Sequence, residues 1–300
     1  MAAATPTAPQ APYTFKSSRS TGQIIWKVIS KLLFFLVIAF ILIYTLFPFV
    51  WAIISSISPD AQLAHTPTRY WPETIDWSHY KFVLNNGDFI RAFRNSVIVS
   101  VSTVVISLVF GSFAAYAMGR LKFRGRTFTL YLILSMTMFP QIAILGSLFQ
   151  MVRNFNLYDR LPALIITYLT FTLPFTVWVL TNFFRAMPGE LEEAALVDGA
   201  TPFRTFWEIL LPLALPGLVT TGLLAFIQAW NEFLFALTFT LQRARTVQPA
   251  LASFSGNTQY DLPWGNIMAA SVLVTIPLVI LVLIFQRKIL GGLTAGAVKG

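Results

Sequence analysis

Long apolar runs alternate with short polar ones along most of the chain. Six runs, at 32–54, 96–118, 128–149, 161–184, 213–237 and 267–285, are each long enough to cross a bilayer, which takes about 20 residues at helical rise. Backbone groups in lipid have no water to pair with, so these runs are predicted to be helices, which satisfy their own hydrogen bonds. Pro140, Pro174 and Pro216 fall inside them and are expected to kink them. Five runs hold no charged residue, and the fifth holds Glu232. The fold class predicted is an all-α polytopic membrane protein with six transmembrane helices.

Composition agrees. The 300 residues are 56% hydrophobic and only 11% charged, against about 25% charged in soluble domains. No cysteine is present, which removes disulfides and thiolate metal sites from consideration. His65 and His79 lie in one polar loop without any ligand-spaced partners, so no metal site is expected and both are read as solvated.

The charge of +9 is explained by placement rather than by nucleic acid. With the N-terminus inside, thirteen of the 21 basic residues fall on inner segments, the cluster Arg120, Lys122, Arg124 and Arg126 being the densest. That is the bias expected of cytoplasmic loops, and Arg91 and Arg94 run against it. The expected organisation is an inner tail at 1–30, largely disordered, a membrane domain at 31–290 and an inner tail at 291–300. Large outer segments are expected at 55–95 and 238–264, and an inner loop at 185–212. A cleaved leader is the rival reading of the start, but the first apolar run is too long for one and begins too late.

That inner loop is the most informative segment. It carries Glu190, Glu192, Glu193, Asp198 and Glu208, five of the twelve acidic residues, between two apolar runs. Pro188 suits the first turn of a helix, and the glutamates that follow complement its dipole. Leu191, Ala194 and Ala195 are predicted to share one small apolar face. Gly199 is placed to stop that helix with a positive φ. Thr201 and Pro202 read as the cap and first residue of a second helix, with Phe203, Phe206, Trp207 and Leu210 on one face and Pro212 at its end. A linker lying on lipid would account for the aromatic residues, but anionic lipid would repel the acids; a docking element accounts for both.

The pattern Glu193-Ala194-Ala195, three residues, Gly199, nine residues, Ile209, one residue, Leu211-Pro212 resembles the EAA loop of binding-protein-dependent ABC importer permeases. Ala114-Ala115-Tyr116-Ala117, Trp230-Asn231-Glu232-Phe233 and the closing residues 292–300 are similar to the MalG-type subunits of carbohydrate importers. The resemblance implies a type I importer permease fold of the cytoplasmic (inner) membrane of a bacterium or archaeon, with both termini cytoplasmic. It implies that the loop couples to a cytoplasmic ATPase through Glu193, Ala194, Ala195, Asp198, Gly199, Ala200 and Pro212, with Glu193 as the polar anchor. It extends less firmly to a tail contact through Gly296, Lys299 and Gly300. Implied partners are a homologous permease subunit, two ATPase subunits, an extracytoplasmic sugar-binding protein and lipid, with no nucleic acid. The chain has no phosphate-binding Gly-x-x-x-x-Gly-Lys-Ser/Thr motif, so ATP and Mg belong to the ATPase subunits and no cofactor or catalytic residue is expected here. The cargo implied is an α-glucoside such as maltose or trehalose, with another sugar or a glycerol phosphate as alternatives.

For the translocation path the candidates are Gln228, Trp230, Asn231 and Glu232. A charge at membrane depth is costly and should face protein or water; Glu232 is read equally as solvated at the outer boundary, or as paired with an outer arginine. Gln141 is a further candidate for the pore or for a freed carbonyl, whereas Asn95 and Ser96 are expected to cap the second span. Gly111, Ala115 and Gly119 repeat at spacing four and suit close helix packing. A stand-alone secondary transporter is the competing reading, and a membrane enzyme is disfavoured because no triad, acid pair or histidine cluster lies within the runs.

Overall fold

The computed structural model describes residues 21–254 and 263–295, with side chains through Gln286 in the last helix. No strand occurs among the described residues. The helices are α1 (Thr21–Ser56), α2 (Asp60–Leu63), α3 (Ser78–Asn85), α4 (Gly87–Arg120), α5 (Arg126–Thr137), α6 (Gln141–Asn154), α7 (Leu161–Ala186), α8 (Glu190–Val197) and α9 (Pro202–Thr205). A π-helical turn, Phe206–Leu210, leads into α10 (Leu211–Leu213). Then come α11 (Leu215–Trp230), α12 (Leu234–Phe239), α13 (Val247–Ala252) and α14 (Trp264–Ala295). The expected 1–30 tail falls largely outside the described residues, but helix begins by Thr21.

Two compact units divide the chain at Trp51. The first holds most of α1, whose apolar side chains, from Leu32 to Phe40 and on to Phe49, are exposed. The second, from Ala52 onward, holds everything else.

Among the described residues four helices, α1, α4, α7 and α14, are long and apolar enough to cross a membrane, and two bent pairs raise the number to six if each is one span. The third predicted run is one such pair: α5 and α6 meet at 92°, because Pro140 cannot donate to the preceding turn and caps α6 instead. The fifth is the other, with a bend of 73° at Ala214 before α11. It also ends at Trp230 rather than residue 237, so Glu232 lies in the turn before α12 and not within a helix.

The second unit is organised on α4 and α7. Ser107 hydrogen-bonds Thr172 at 2.8 Å, a Cβ on Gly111 would lie 2.6 Å from Thr176 Cγ2, and one on Gly119 would lie 3.0 Å from Phe184 Cβ. All three pairs are 65 residues apart, so the two helices run parallel in one unbroken register. Lipid offers no hydrophobic drive to associate helices, and close approach of small residues supplies dispersion contacts instead. Thr167, Thr172, Thr176 and Thr181 return their hydroxyls to carbonyls four residues back at 2.6–3.0 Å, which hides these groups in the contact.

Parallel helices bring two negative dipole ends together, and arginines neutralise them. Arg126 Nε and Nη2 donate to the Met118 and Gly119 carbonyls at 2.6 and 2.7 Å, ending α4. Arg120 Nη1 donates to the Met187 carbonyl at 2.9 Å, just past the end of α7. The basic cluster is therefore structural, since two of its members close the ends of α4 and α7.

Two expectations fail here. His79 is not solvated: it is 3% exposed, with Nδ1 2.9 Å from Asn266 Oδ1 and Nε2 3.0 Å from the Ser58 carbonyl. Its ring occupies the space left by Gly265, where a Cβ would lie 2.3 Å from it. Nor do Asn95 and Ser96 cap α4. Asn86 caps α4, accepting from the Asp88 and Phe89 amides. Asn95 instead donates to the Arg243 and Arg245 carbonyls at 2.8 and 3.0 Å, and Ser96 Oγ accepts from the Val247 amide at 2.8 Å, so both fasten the segment that leads from α12 into α13.

Gly111→Ala should lower stability by about 1–3 kcal/mol through overpacking. Thr176→Ser removes the methyl that the new Cβ meets and should restore most of the loss in the double variant. Thermal unfolding in detergent micelles checks both.

Candidate functional site

Two features of the second unit bear on function, a closed loop at the arginine-rich end and a polar cavity toward the other end. In the loop, α8 begins at Glu190 with Gly189 at its cap, so Pro188 stands just outside the helix rather than in its first turn. Gly199 has φ +76°. The Gly199 amide donates to the Leu196 carbonyl at 3.1 Å and the Ala200 amide to the Ala195 carbonyl at 2.9 Å. That pair of bonds is a Schellman closure, which needs a left-handed residue where glycine pays no steric penalty. Thr201 Oγ1 accepts from the Arg204 amide at 3.3 Å and Pro202 opens α9.

The face assignment for α8 changes. Leu191 packs toward Phe184, Phe206 and Leu210, and Ala195 is 3% exposed, so these two look inward. Ala194 does not share their face: it is exposed, together with Glu193, Asp198 and Gly199. Leu196 and Val197 are 62% and 88% exposed. Uncovered apolar side chains beside a free acid form an outward ridge. Ala200 is half-buried at the elbow and Pro212 lies in the first turn of α10. Phe206 and Leu210 are buried whereas Phe203 and Trp207 are 67% and 56% exposed, so the expected aromatic face splits in two. Gly296, Lys299 and Gly300 lie outside the described residues.

The cavity has a volume of about 560 Å³ and is lined by Thr137, Gln141, Phe171, Phe175, Gln228, Asn231, Glu232, Phe233 and Leu234. It sits where helices break, at the end of α5, the start of α6, and the turn between α11 and α12. Broken helices present polar side chains and backbone ends that unbroken ones hide. Gln141, Gln228, Asn231 and Glu232 therefore meet, as candidates for one path. Trp230 does not join them. Its ring is 1% exposed and packs edge-on to Phe93 and stacked on Phe226, at 5.6 and 5.5 Å, in the core on the other side of α11.

Glu232 is 6% exposed. Its carboxylate accepts from the Phe235 and Ala236 amides at 2.7 and 3.0 Å, so it caps α12 at the favourable end of that helix's dipole. Tyr168 stands beside the same carboxylate. No arginine pairs with Glu232 among the described residues. Nothing in the sequence near Glu232 marks it as a cap, because the helix it serves is continuous in hydropathy with the span before it.

A second carboxylate anchors the far side of α12. Asp159, at φ +56°, accepts from the Leu241, Gln242, Arg243 and Ala244 amides at 2.9–3.4 Å, and its own amide donates to the Phe239 carbonyl at 3.0 Å. Partial burial pushes its carboxyl up, but the four amides outweigh that and hold it below the ordinary carboxylate range. Sequence reading passed over Asp159, whose partners lie some eighty residues away.

Residues 107–292 match the family description "binding-protein-dependent transport system inner membrane component". The chain is 42% identical to the trehalose transport system permease protein SugB of Mycobacterium tuberculosis (strain CDC 1551 / Oshkosh), over 86% of this chain and 93% of that protein. It is 40% identical to the trehalose/maltose transport system permease protein MalG of Thermococcus litoralis, over 91% of this chain and 99% of that protein. Among solved structures, a bacterial ABC transporter involved in the import of the acidic polysaccharide alginate superposes with a TM-score of 0.75 at 23% identity, covering 92% of this chain and 99% of that one. That likeness is one of fold.

The Asp159 anchor sets an acid limit. Its folded value is depressed, so its contribution to stability is fully present above the unfolded value of about 3.9 and is lost as pH falls through the lower folded value. The melting temperature of Asp159→Asn should therefore lie below wild type at pH 7, with the gap closing as pH falls below about 4. Paired thermal melts across that range check the sign.

Proposed function

We propose a function from one premise: the chain belongs to the family of binding-protein-dependent transport system inner membrane components. On that premise it is one membrane-spanning subunit of an ATP-driven sugar importer, and an α-glucoside such as trehalose or maltose is the cargo best supported by its relatives. The chain is not itself the ATPase. A second permease subunit, two cytoplasmic ATPase subunits carrying ATP and Mg, and an extracytoplasmic sugar-binding protein complete the machine. The basic residues around Arg120 and Arg126 support a cytoplasmic position for the α8 end, with both termini on that side.

The observation that carries this reading is the outward ridge of α8. An eight-residue helix is too short to be stable in isolation, yet this one is closed at its end by a Schellman turn and seated on Leu191 and Ala195. It then leaves Val197 and Leu196 uncovered beside Glu193. A ridge held this firmly and left bare suits a cleft on another protein. Glu193 would meet a basic group there, and Ala194 and Gly199 would allow close approach. When the ATPases close, the ridge is carried with them and the spans switch the side to which they open.

Sugar would pass the cavity that Gln141, Gln228, Asn231 and Glu232 share with Phe171, Phe175 and Phe233. Amide groups match sugar hydroxyls, and aromatic rings match the apolar faces of pyranose rings. Trp230 is left out of the path because its ring belongs to the core.

Reconstitution in proteoliposomes tests the reading: sugar uptake should require the ATPase subunits, the binding protein and ATP. Uptake by this chain alone on a proton or sodium gradient would replace the importer with a secondary transporter. Gly199→Asp should abolish transport and ATPase co-purification while leaving membrane insertion intact. A Cβ at Gly199 meets nothing among the described residues within 4 Å, and aspartate tolerates positive φ better than most residues, so the loss would report on docking. Glu232→Ala should be milder, and a variant lacking all sugar-stimulated ATPase activity in a normally assembled complex would reverse that ranking.

A further inference from the structure

Three glutamates stand on α8, and they are not equivalent. Glu190 and Glu193 make no ion pair among the described residues, whereas Glu192 turns back to Arg120 at the end of α4. Its Oε2 accepts from Arg120 Nε at 2.8 Å and lies 2.6 Å from Nη2. The same guanidinium donates to the Met187 carbonyl at 2.9 Å, to the Pro188 carbonyl at 3.2 Å and to the Phe184 carbonyl at 3.4 Å. Arg120 and Glu192 side chains are 11% and 26% exposed, so the pair is shielded from the screening that weakens surface ion pairs.

One side chain on α4 thus holds the end of α7, the connection after it, and α8. The planar fork of arginine donates in several fixed directions at once, which the point charge of lysine cannot do. Leu191 and Ala195 are the inward side chains of α8 and supply the rest of its seat.

We propose that Arg120 is a positioning residue that locks α8 to the ends of α4 and α7, so that displacement of the loop moves both helices as one body. The proposal rests on the reading of α8 as the docking element. It divides the glutamates by task, Glu193 outward for the partner and Glu192 inward for the chain's own frame. A residue serving only to neutralise helix ends or to set topology would need its charge and nothing more.

The test uses the complete reconstituted transporter with Arg120→Lys, Arg120→Ala and Glu192→Gln. Arg120→Lys keeps the charge, and Glu192→Gln keeps every bond from Arg120 to a carbonyl. Each complex should assemble and hydrolyse ATP, with sugar moved per ATP hydrolysed falling roughly fivefold or more, as expected for loss of a coupling free energy. An unchanged ratio in Glu192→Gln and Arg120→Lys overturns the proposal. If Arg120→Ala fails to assemble, the two conservative variants decide. A second measurement does not depend on the cargo. The chain has no native cysteine, so spin labels at Leu121→Cys and Glu190→Cys report the α4–α8 separation alone. That distance should stay fixed between nucleotide-free and ATP-bound wild-type complexes and broaden in Glu192→Gln. A wild-type distance that changes with ATP overturns the proposal, whereas a wild-type complex with a fixed distance and no sugar uptake supports it and counts against the cargo.

Discussion

Missing side-chain atoms set the approach of α4 to α7. Gly111 lies against Thr176 and Gly119 against Phe184, in the same register as the Ser107–Thr172 hydrogen bond. In water, such an interface would be secured by burying apolar area. In lipid that drive is absent, so association depends on how closely two backbones come together. The parallel alignment then creates its own problem, two negative helix ends side by side, which Arg120, Arg126 and Arg185 resolve by donating to carbonyls at those ends. The turn toward α8 inherits its position from that arrangement. Packing in mid-membrane and the placing of the loop at the surface are therefore consequences of one contact.

Local signals made the loop readable in advance. Proline, glycine, threonine and clustered glutamates act on backbone within a few residues, and Gly199 and Thr201 do what their chemistry requires. Interactions across the chain were not readable. His79 is buried because Gly265, far along the sequence, leaves room for it. Asp159 has partners that exist only once α6, α7 and α12 have met. Hydropathy misjudged the fifth span for a related reason: Leu234, Phe235 and Ala236 are as apolar as a span but belong to a separate short helix that Glu232 begins. Average apolarity records burial without recording direction.

Glu232 shows how a costly group can serve structure and a cavity together. Its oxygens are engaged by backbone amides at a helix start, which stabilises a carboxylate without a second charge. Gln141, Gln228 and Asn231 add groups that are polar but uncharged, beside the apolar Phe171, Phe175, Phe233 and Leu234. Trp230, one residue along a helix from the polar turn, faces the opposite way and lends its mass to the core.

Helix α1 runs for 36 residues, about 54 Å at helical rise, while the hydrocarbon layer is about 30 Å thick. Its uncharged stretch alone is a few ångströms longer than that layer. Such an excess is relieved by tilt or by local thickening of the bilayer, each at a small cost per ångström. The helix therefore has slack along the membrane normal. It can lean further or stand more upright without drawing Lys27 or Lys31 into the lipid, so one helix length is compatible with bilayers of different thickness.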